Sequence, residues 1–409
     1  MGKFGVLSLA VAAGAICALV PAREAAAQDF GQSWIDRINH ENEQDRGPLS
    51  PKPFTWNADA GVQYAFDNNL FLTQTNKTSD SIIIPFVQAG LNYQEQRFEA
   101  DASLLADYKF YARQKLDDDE ERVYAHARQT SSRWNFEISE LFQDVSDPSG
   151  VLFLNRVKRV VSTTVPKIAV DFARNWTFEV NANVQLVRFK DQPYSSGEEN
   201  NNFSVDASLV YHTPWGFEVL GMFGYYDINY LTDRTQPNGT PDDFGYYGKI
   251  GFRGNIVERL SLEGNVGYSS ITTDYFVQTN NNIKDGTVVF NANFRYEATE
   301  TVNLYLDGSR FYAFNGFGDP FQLVNTFAFL AEVEITQELK FRGRLQYDHA
   351  VTALNVTRDY LDATAGASYK FGNHWLLDGS ASYRWGKTEN VGQVKFTDII
   401  LAIGLAFTW

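Results

Sequence analysis

The sequence predicts an all-β chain that closes into a transmembrane antiparallel β-barrel of about 18 strands, with 16 as the alternative count. Three observations carry this. Apolar residues recur at every second position from Phe54 to Trp409, the period of a strand and not of a helix. A nine-residue frame (apolar, x, apolar, x, Gly, x, apolar, x, Tyr) repeats along the chain. Connections between the alternating runs switch between short and long, the layout of barrels that cross a bacterial outer membrane.

Composition removes the competing classes. The 409 residues carry 35 Lys+Arg against 50 Asp+Glu, a formal net charge of −15, with 44% hydrophobic and 15% aromatic residues. A chain with this much apolar surface to bury is not disordered. The acidic balance excludes a nucleic-acid binder, which needs a basic excess to neutralise phosphates. A single Cys excludes a disulfide scaffold and a Cys-ligated zinc or iron–sulfur centre. Metal, phosphate-loop and dinucleotide patterns are absent, so no cofactor is expected.

Residues 1–27 read as a cleaved signal peptide. Lys3 supplies the positive start, Phe4 to Val20 the apolar stretch, and Ala25-Ala26-Ala27 the cleavage site. Residues 28–53 are expected to form a periplasmic N-terminal lead. Trp34, Ile35 and Ile38 could share one short amphipathic face, which Pro48, Pro51 and Pro53 end. The lead is expected to be mobile, with docking to a periplasmic partner or plugging of the barrel as alternatives.

The barrel is predicted over 54–409. Trp176, Phe178, Val180, Ala182, Val184 and Leu186 alternate with Thr177, Glu179, Asn181, Asn183 and Gln185. The frame stands at LSLEGNVGY (260–268), LKFRGRLQY (339–347) and WLLDGSASY (375–383), with looser copies at 217–225 and 304–312. Its glycines, at 221, 264, 308, 343 and 379, lie 35 to 44 residues apart, the length of two long strands with their connections. A propeller blade would fit four strands into that repeat, but runs of ten or more alternating residues are too long for blade strands. Short turns are predicted near 93–97, 131–134, 173–176, 213–216, 257–260, 298–302, 336–339 and 371–375. Longer loops are predicted near 67–80, 114–121, 147–155, 190–202, 231–243, 277–286, 315–321, 352–358 and 387–395. Trp56, Trp134, Trp176, Trp215, Trp375 and Trp409 all fall at the short-turn rim. The tyrosines of the frame sit about 20 Å higher, close to the span between the two aromatic girdles of such barrels. The glycines face outward, either to let a Tyr ring lie over bare backbone or to curve the strand. Asp67-Asn68-Asn69 reads as a turn entry.

Leu405, Phe407 and Trp409 on alternate positions resemble the signal that the outer-membrane barrel assembly machinery reads. The stretch YAFDNNLFLT (64–73) resembles the first-strand pattern of the β-barrel porin 2 family of Gram-negative outer-membrane proteins. The resemblance implies an outer-membrane channel and, through kinship, work near exopolysaccharide export with periplasmic export components. Outer-membrane lipids and lipopolysaccharide are the expected surroundings. The acidic run Asp117-Asp118-Asp119-Glu120-Glu121 is expected to be a solvated loop face.

An 18-stranded barrel is wide enough to hold an aqueous channel. The pore-lining candidates are Lys340, Arg342, Arg344, Glu332, Glu334, Arg253, Arg295, Asp307, Asp348 and Arg384. Lys340, Arg342 and Arg344 form a basic ladder, with Glu332 and Glu334 just across a short turn. Salt bridging between neighbouring strands is the expected arrangement; a transverse field across a constriction is the alternative. No ring of one sign is evident, so strong ion selectivity is not expected. None of the nine loops is long enough to fold deep into the lumen, so a narrow eyelet is not expected. Tyr111, Tyr247, Tyr305 and Tyr360 would favour sugar passage if they formed one continuous track. Ser208 and His212 share a strand face with Asp206 but lie about 13 Å apart along it, too far for a triad. His349 is the one tempting lipid-facing His, and no enzyme is expected. The sequence thus points to passive passage of hydrophilic solutes, ahead of an exopolysaccharide exit and a non-conducting structural barrel.

Overall fold

The computed structural model describes residues 54–72, 74–114, 118–145, 158–190, 199–231, 242–276, 281–314, 321–389 and 394–409. The signal segment and the lead lie outside the described residues, as does Asp117. Eighteen strands form: β1 (Phe54–Asp67), β2 (Asp80–Glu95), β3 (Phe98–Tyr111), β4 (Asp118–Thr130), β5 (Trp134–Val145), β6 (Arg159–Ala173), β7 (Trp176–Phe189), β8 (Asn200–His212), β9 (Phe217–Tyr230), β10 (Asp243–Val257), β11 (Leu260–Phe276), β12 (Asn281–Thr299), β13 (Val302–Phe314), β14 (Phe321–Glu334), β15 (Leu339–Thr352), β16 (Thr357–Phe371), β17 (Trp375–Glu389) and β18 (Val394–Thr408).

Each strand pairs antiparallel with its sequence neighbours, and β1 pairs with β18 from Asp59↔Thr408 to Asp67↔Ile400. The sheet is therefore a closed 18-stranded barrel, which sets aside the count of 16. Closure follows from the surroundings that the outer wall is built for. Hydrocarbon offers no hydrogen-bond partner, so no strand can be left with an edge. Along β18, Ile399, Leu401, Ile403 and Leu405 are exposed on the outside, while Ala402 and Ala406 are buried inside. The same alternation runs through Ile83, Val87 and Leu91 on β2. Among the described residues, no helix is long and apolar enough to cross a membrane.

The eight short turns fall within a residue or two of their predicted places, and all six rim tryptophans are exposed at that end of the barrel. Two local expectations fail, and of the two readings of the repeat glycines the Tyr cover is set aside. The stretch 281–286, predicted as part of a loop, is strand, because β12 starts at Asn281 and pairs with β11 through this region. Asp118 to Glu121 belong to β4 rather than to a loop, and strand alternation turns Glu120 inward, where it is buried. No ring covers the outward glycines of the repeat. A Cβ at Gly221, Gly308 or Gly343 would meet open space, and at Gly264 and Gly379 only backbone at 3.4 Å or more. Aromatic cover falls on other glycines: Phe86 lies over Gly61 and Phe396 over Gly386 on the inner wall, and Tyr268 lies over Gly286 on the outer wall.

Tyr312 also departs from its sister tyrosines: Tyr268, Tyr347 and Tyr383 are exposed, and Tyr312 is buried. The β12–β13 ladder stops at Phe290↔Arg310. Beyond it, side chains bind the two strands. The Tyr312 hydroxyl donates to Asp285 at 2.9 Å, and the Arg310 guanidinium donates to Thr287 at 3.2 Å.

Candidate channel lumen

The lumen wall is the inward half of each alternating strand, so its chemistry follows directly from strand parity. Its first feature is the seam. Asp67 accepts from the Asn69 backbone N–H at 2.7 Å, an Asx turn, as the sequence predicts. Asn68 continues the closing ladder past the strand: its N–H donates to the Ile399 carbonyl at 3.1 Å, and its side-chain oxygen accepts from the Ile399 N–H at 2.9 Å. The Asn69 amide donates to the Thr397 carbonyl at 2.9 Å.

The chain then turns into the barrel mouth. Leu70 packs on Ala65, Ile82, Ile84, Tyr111 and Ala402, and Leu72 packs on Tyr360 and Phe396, all of them inward-facing. Leu72 holds φ at +51°, a left-handed conformation that a leucine adopts only when its surroundings fix it. The β1–β2 loop, one of the longer connections, thus folds over the mouth and buries two leucines beside the seam.

The second feature is a set of ion pairs. Lys340 pairs with Glu334 at 2.7 Å and Arg342 with Glu332 at 3.0 Å, directly across the β14–β15 ladder. This is cross-strand bridging rather than a transverse field, because both signs stand on one wall. Arg344 faces Leu330 in that register, and its guanidinium donates to Gln346 rather than to a carboxylate. Gln346 in turn donates to Asp348 at 2.8 Å. Arg384 lies between Asp362 at 3.6 Å and Asp398 at 3.9 Å. Arg295 pairs with Glu297 at 3.3 Å and lies over the Tyr305 ring, and Asp307 accepts from Asn293 at 2.6 Å.

Arg253 makes the longest reach. From β10 it pairs with Glu218 on the neighbouring β9 and, at 2.6 Å, with Glu179 on β7, two strands farther round the wall. It therefore acts as a chord across the inner curve of the barrel. His212 approaches Glu218 at 2.9 Å and Thr177 at 2.6 Å, so its ring belongs to this brace and does not touch Ser208. Asp206 instead accepts from Asn181 at 3.1 Å. On the outer face, His349 meets Asp359 at 2.8 Å, which also accepts from the Tyr347 hydroxyl at 2.8 Å.

Sequence reasoning missed a buried triad. Lys109 at 2.8 Å and Arg122 at 3.0 Å both pair with Glu120 on the inner wall of β3–β4. Continuing the Val123 alternation back into the acidic run would have found it.

Exposure inside the lumen is graded. Toward the loop end, Asp398, Asp348, Glu120, Asp243, Thr273 and Gln322 are each 0–1% exposed. Toward the short-turn end, the side chains of Lys340, Arg342, Arg128 and Arg295 are 33–45% exposed. The four lumen tyrosines do not form one track. Tyr111, Tyr247 and Tyr360 sit in three separate apolar clusters, and Tyr305 stands apart from these against Arg295.

Comparison with known proteins adds the following. No family model matches the chain. No curated protein matches it either. Solved structures of similar shape include OccK2 (OpdF) of Pseudomonas aeruginosa, at 10% identity and a TM-score of 0.46, covering 87% of this chain and 98% of that one. OpdK of the same organism, solved with vanillate, has 10% identity and a TM-score of 0.46 over 87% and 99% of the two chains. OccAB4 of Acinetobacter baumannii has 9% identity and a TM-score of 0.47 over 89% and 100%. The barrel assignment rests on this chain's own closed circuit of ladders.

Proposed function

We propose that the chain is a porin-like channel of the Gram-negative outer membrane, for passive passage of hydrophilic solutes. One observation carries the reading. The wall is apolar outside and charged inside, and the inner charges become water-exposed toward the short-turn end. A non-conducting structural barrel has no need of a polar, hydrated vestibule. Paired charges of both signs suit small hydrophilic solutes of either sign over a strongly selected ion. The narrow part is the loop half, where packed inward side chains and the Leu70–Leu72 turn crowd the lumen.

Within this reading the short-turn end is periplasmic, residues 1–27 direct export, and 28–53 lead into β1. Leu405, Phe407 and Trp409 serve the assembly machinery, and the family pattern of 64–73 is part of the same kinship. The exopolysaccharide exit is the less favoured reading, because the lumen tyrosines lie in separate clusters and offer a glycan no continuous surface. The test is single-channel conductance of the refolded protein in a planar bilayer, with and without residues 28–53. Stable steps from the intact protein support an open channel. Steps only after removal of 28–53 indicate a plugged exporter, and silence in both overturns the channel.

A further inference from the structure

On the outer wall, strand parity places Glu140 of β5 outward between Ile138 and Phe142, six residues above the rim Trp134. That is about mid-height in an apolar band about 25 Å tall. Its carboxylate accepts from the hydroxyls of two outward residues of β6, Ser162 at 2.6 Å and Thr164 at 2.8 Å. Outward positions near this height on the other described strands are apolar or small. Arg310 and its ladder partner Asn325 are the exceptions, and Arg310 bonds both Asn325 and Thr287. A carboxylate facing hydrocarbon is costly, and an ionisable residue at membrane depth marks a functional contact by default. Lipid at this depth is acyl chain and can donate no hydrogen bond. Only protein can.

We propose that the β5–β6 face is the contact between two copies of this chain, related by a two-fold axis along the membrane normal. Both copies insert with the same polarity, so the axis must be vertical and heights are preserved. Rotation about it sets β5 of each copy against β6 of the other. Glu140 and Thr164 are direct ladder partners. In the pair, each Glu140 therefore meets the hydroxyls of the opposite copy at its own level. One hydroxyl stays on its own carboxylate and the other turns to the partner copy's. Each carboxylate keeps two donors, and a protein wall replaces lipid over it. The patch is self-complementary, as an isologous interface requires. The proposal rests on the outer wall facing lipid, and it stands whether or not the lumen conducts.

The test uses the full barrel in lipid vesicles, in a Cys17→Ser background that leaves no other thiol. Ile138→Cys on this face and Ile403→Cys on β18 are each treated with a short bismaleimide. A covalent dimer from the first and monomer from the second is the expected result. Glu140→Leu is expected to cut the dimer at least tenfold while the monomer keeps its heat-modifiable mobility. Glu140→Gln is expected to retain the dimer. The double change Ser162→Ala and Thr164→Val is a second route should Glu140→Leu fail to fold, with the same tenfold loss expected. No cross-link at Ile138→Cys, equal cross-linking at both sites, a trimer ladder, or undiminished dimer after the hydroxyls or the carboxylate are removed overturns the proposal.

Discussion

Tyr226 of β9 and Tyr247 of β10 lie across each other's glycines. Tyr226 stands opposite Gly245 in the ladder and Tyr247 opposite Gly224, and each ring covers the glycine it faces. The two rings stack at 6.4 Å with 22° between their planes, and the Tyr226 hydroxyl donates to the Ser270 carbonyl at 2.9 Å. A Cβ at Gly245 would strike both the Tyr226 ring and the Ser270 backbone. We expect Gly245→Ala to cost about 1–3 kcal/mol, as overpacking does. Gly221→Ala, whose Cβ enters open space on the outer wall, should be nearly neutral. Urea midpoints of the two variants in the same detergent check this, and equal shifts would refute the interlock.

Arg253 is predicted to be a structural brace before it is a pore charge. Glu179 is only 7% exposed, so Arg253→Leu strands a buried carboxylate. A fully buried pair would lose about 3–5 kcal/mol on such a change. The Arg253 side chain is 29% exposed, which lowers the expected loss to about 2–3 kcal/mol. Denaturant unfolding measures it, and a loss below about 0.5 kcal/mol would show that the chord is dispensable.

The barrel itself was legible because its information is local. Parity along one strand, such as Trp176 to Leu186, fixes which residues face lipid, and counting turns fixes closure. What was not legible depends on pairs far apart in sequence. Arg253 and Glu179 are 74 residues apart, and no periodicity in either strand signals their meeting. Leu70 and Leu72 looked like ordinary loop residues, because their inward turn is set by Asn68 and Asn69 bonding to β18, more than 300 residues away. Glu140 was readable by parity alone, but only the hydroxyls of β6 explain how it is held.

Leu401 sits on the exposed apolar face of β18, 49% exposed among isoleucines and leucines. If this face meets acyl chains, Leu401→Arg costs about 2–4 kcal/mol at mid-membrane. The inward neighbour Ala402 gives the control: a change there should alter packing with Leu70 rather than lipid transfer. Reversible unfolding in liposomes measures both, and an unchanged Leu401→Arg barrel would place the belt elsewhere.

The Leu72 turn is expected to set conductance. Its side chain packs on Tyr360 and Phe396, in a backbone conformation that leucine avoids, so the packing must offset the strain. Leu72→Asp removes the apolar contact and cannot leave a carboxylate against two rings. The turn should lift from the mouth and enlarge the single-channel step without loss of the folded barrel. Steps of the same size would mean that the constriction lies in the packed wall below.

Arg344 offers the test of whether lumen charge reaches the permeating ions. Lys340 and Arg342 are each neutralised by a carboxylate across the ladder, so altering either also unpairs Glu334 or Glu332. Arg344 faces Leu330 and donates to Gln346, so its charge is not balanced by the opposite strand. Arg344→Glu therefore changes the local charge by two units while Glu332 and Glu334 keep their partners across the ladder. Its effect at a distance is screened over about 8–10 Å at physiological salt, comparable to the radius of such a lumen. Permeability should move toward cations, seen as a shifted reversal potential in a potassium chloride gradient that shrinks as the salt is raised. An unmoved reversal potential at low salt would place the conducting path away from the β14–β15 wall.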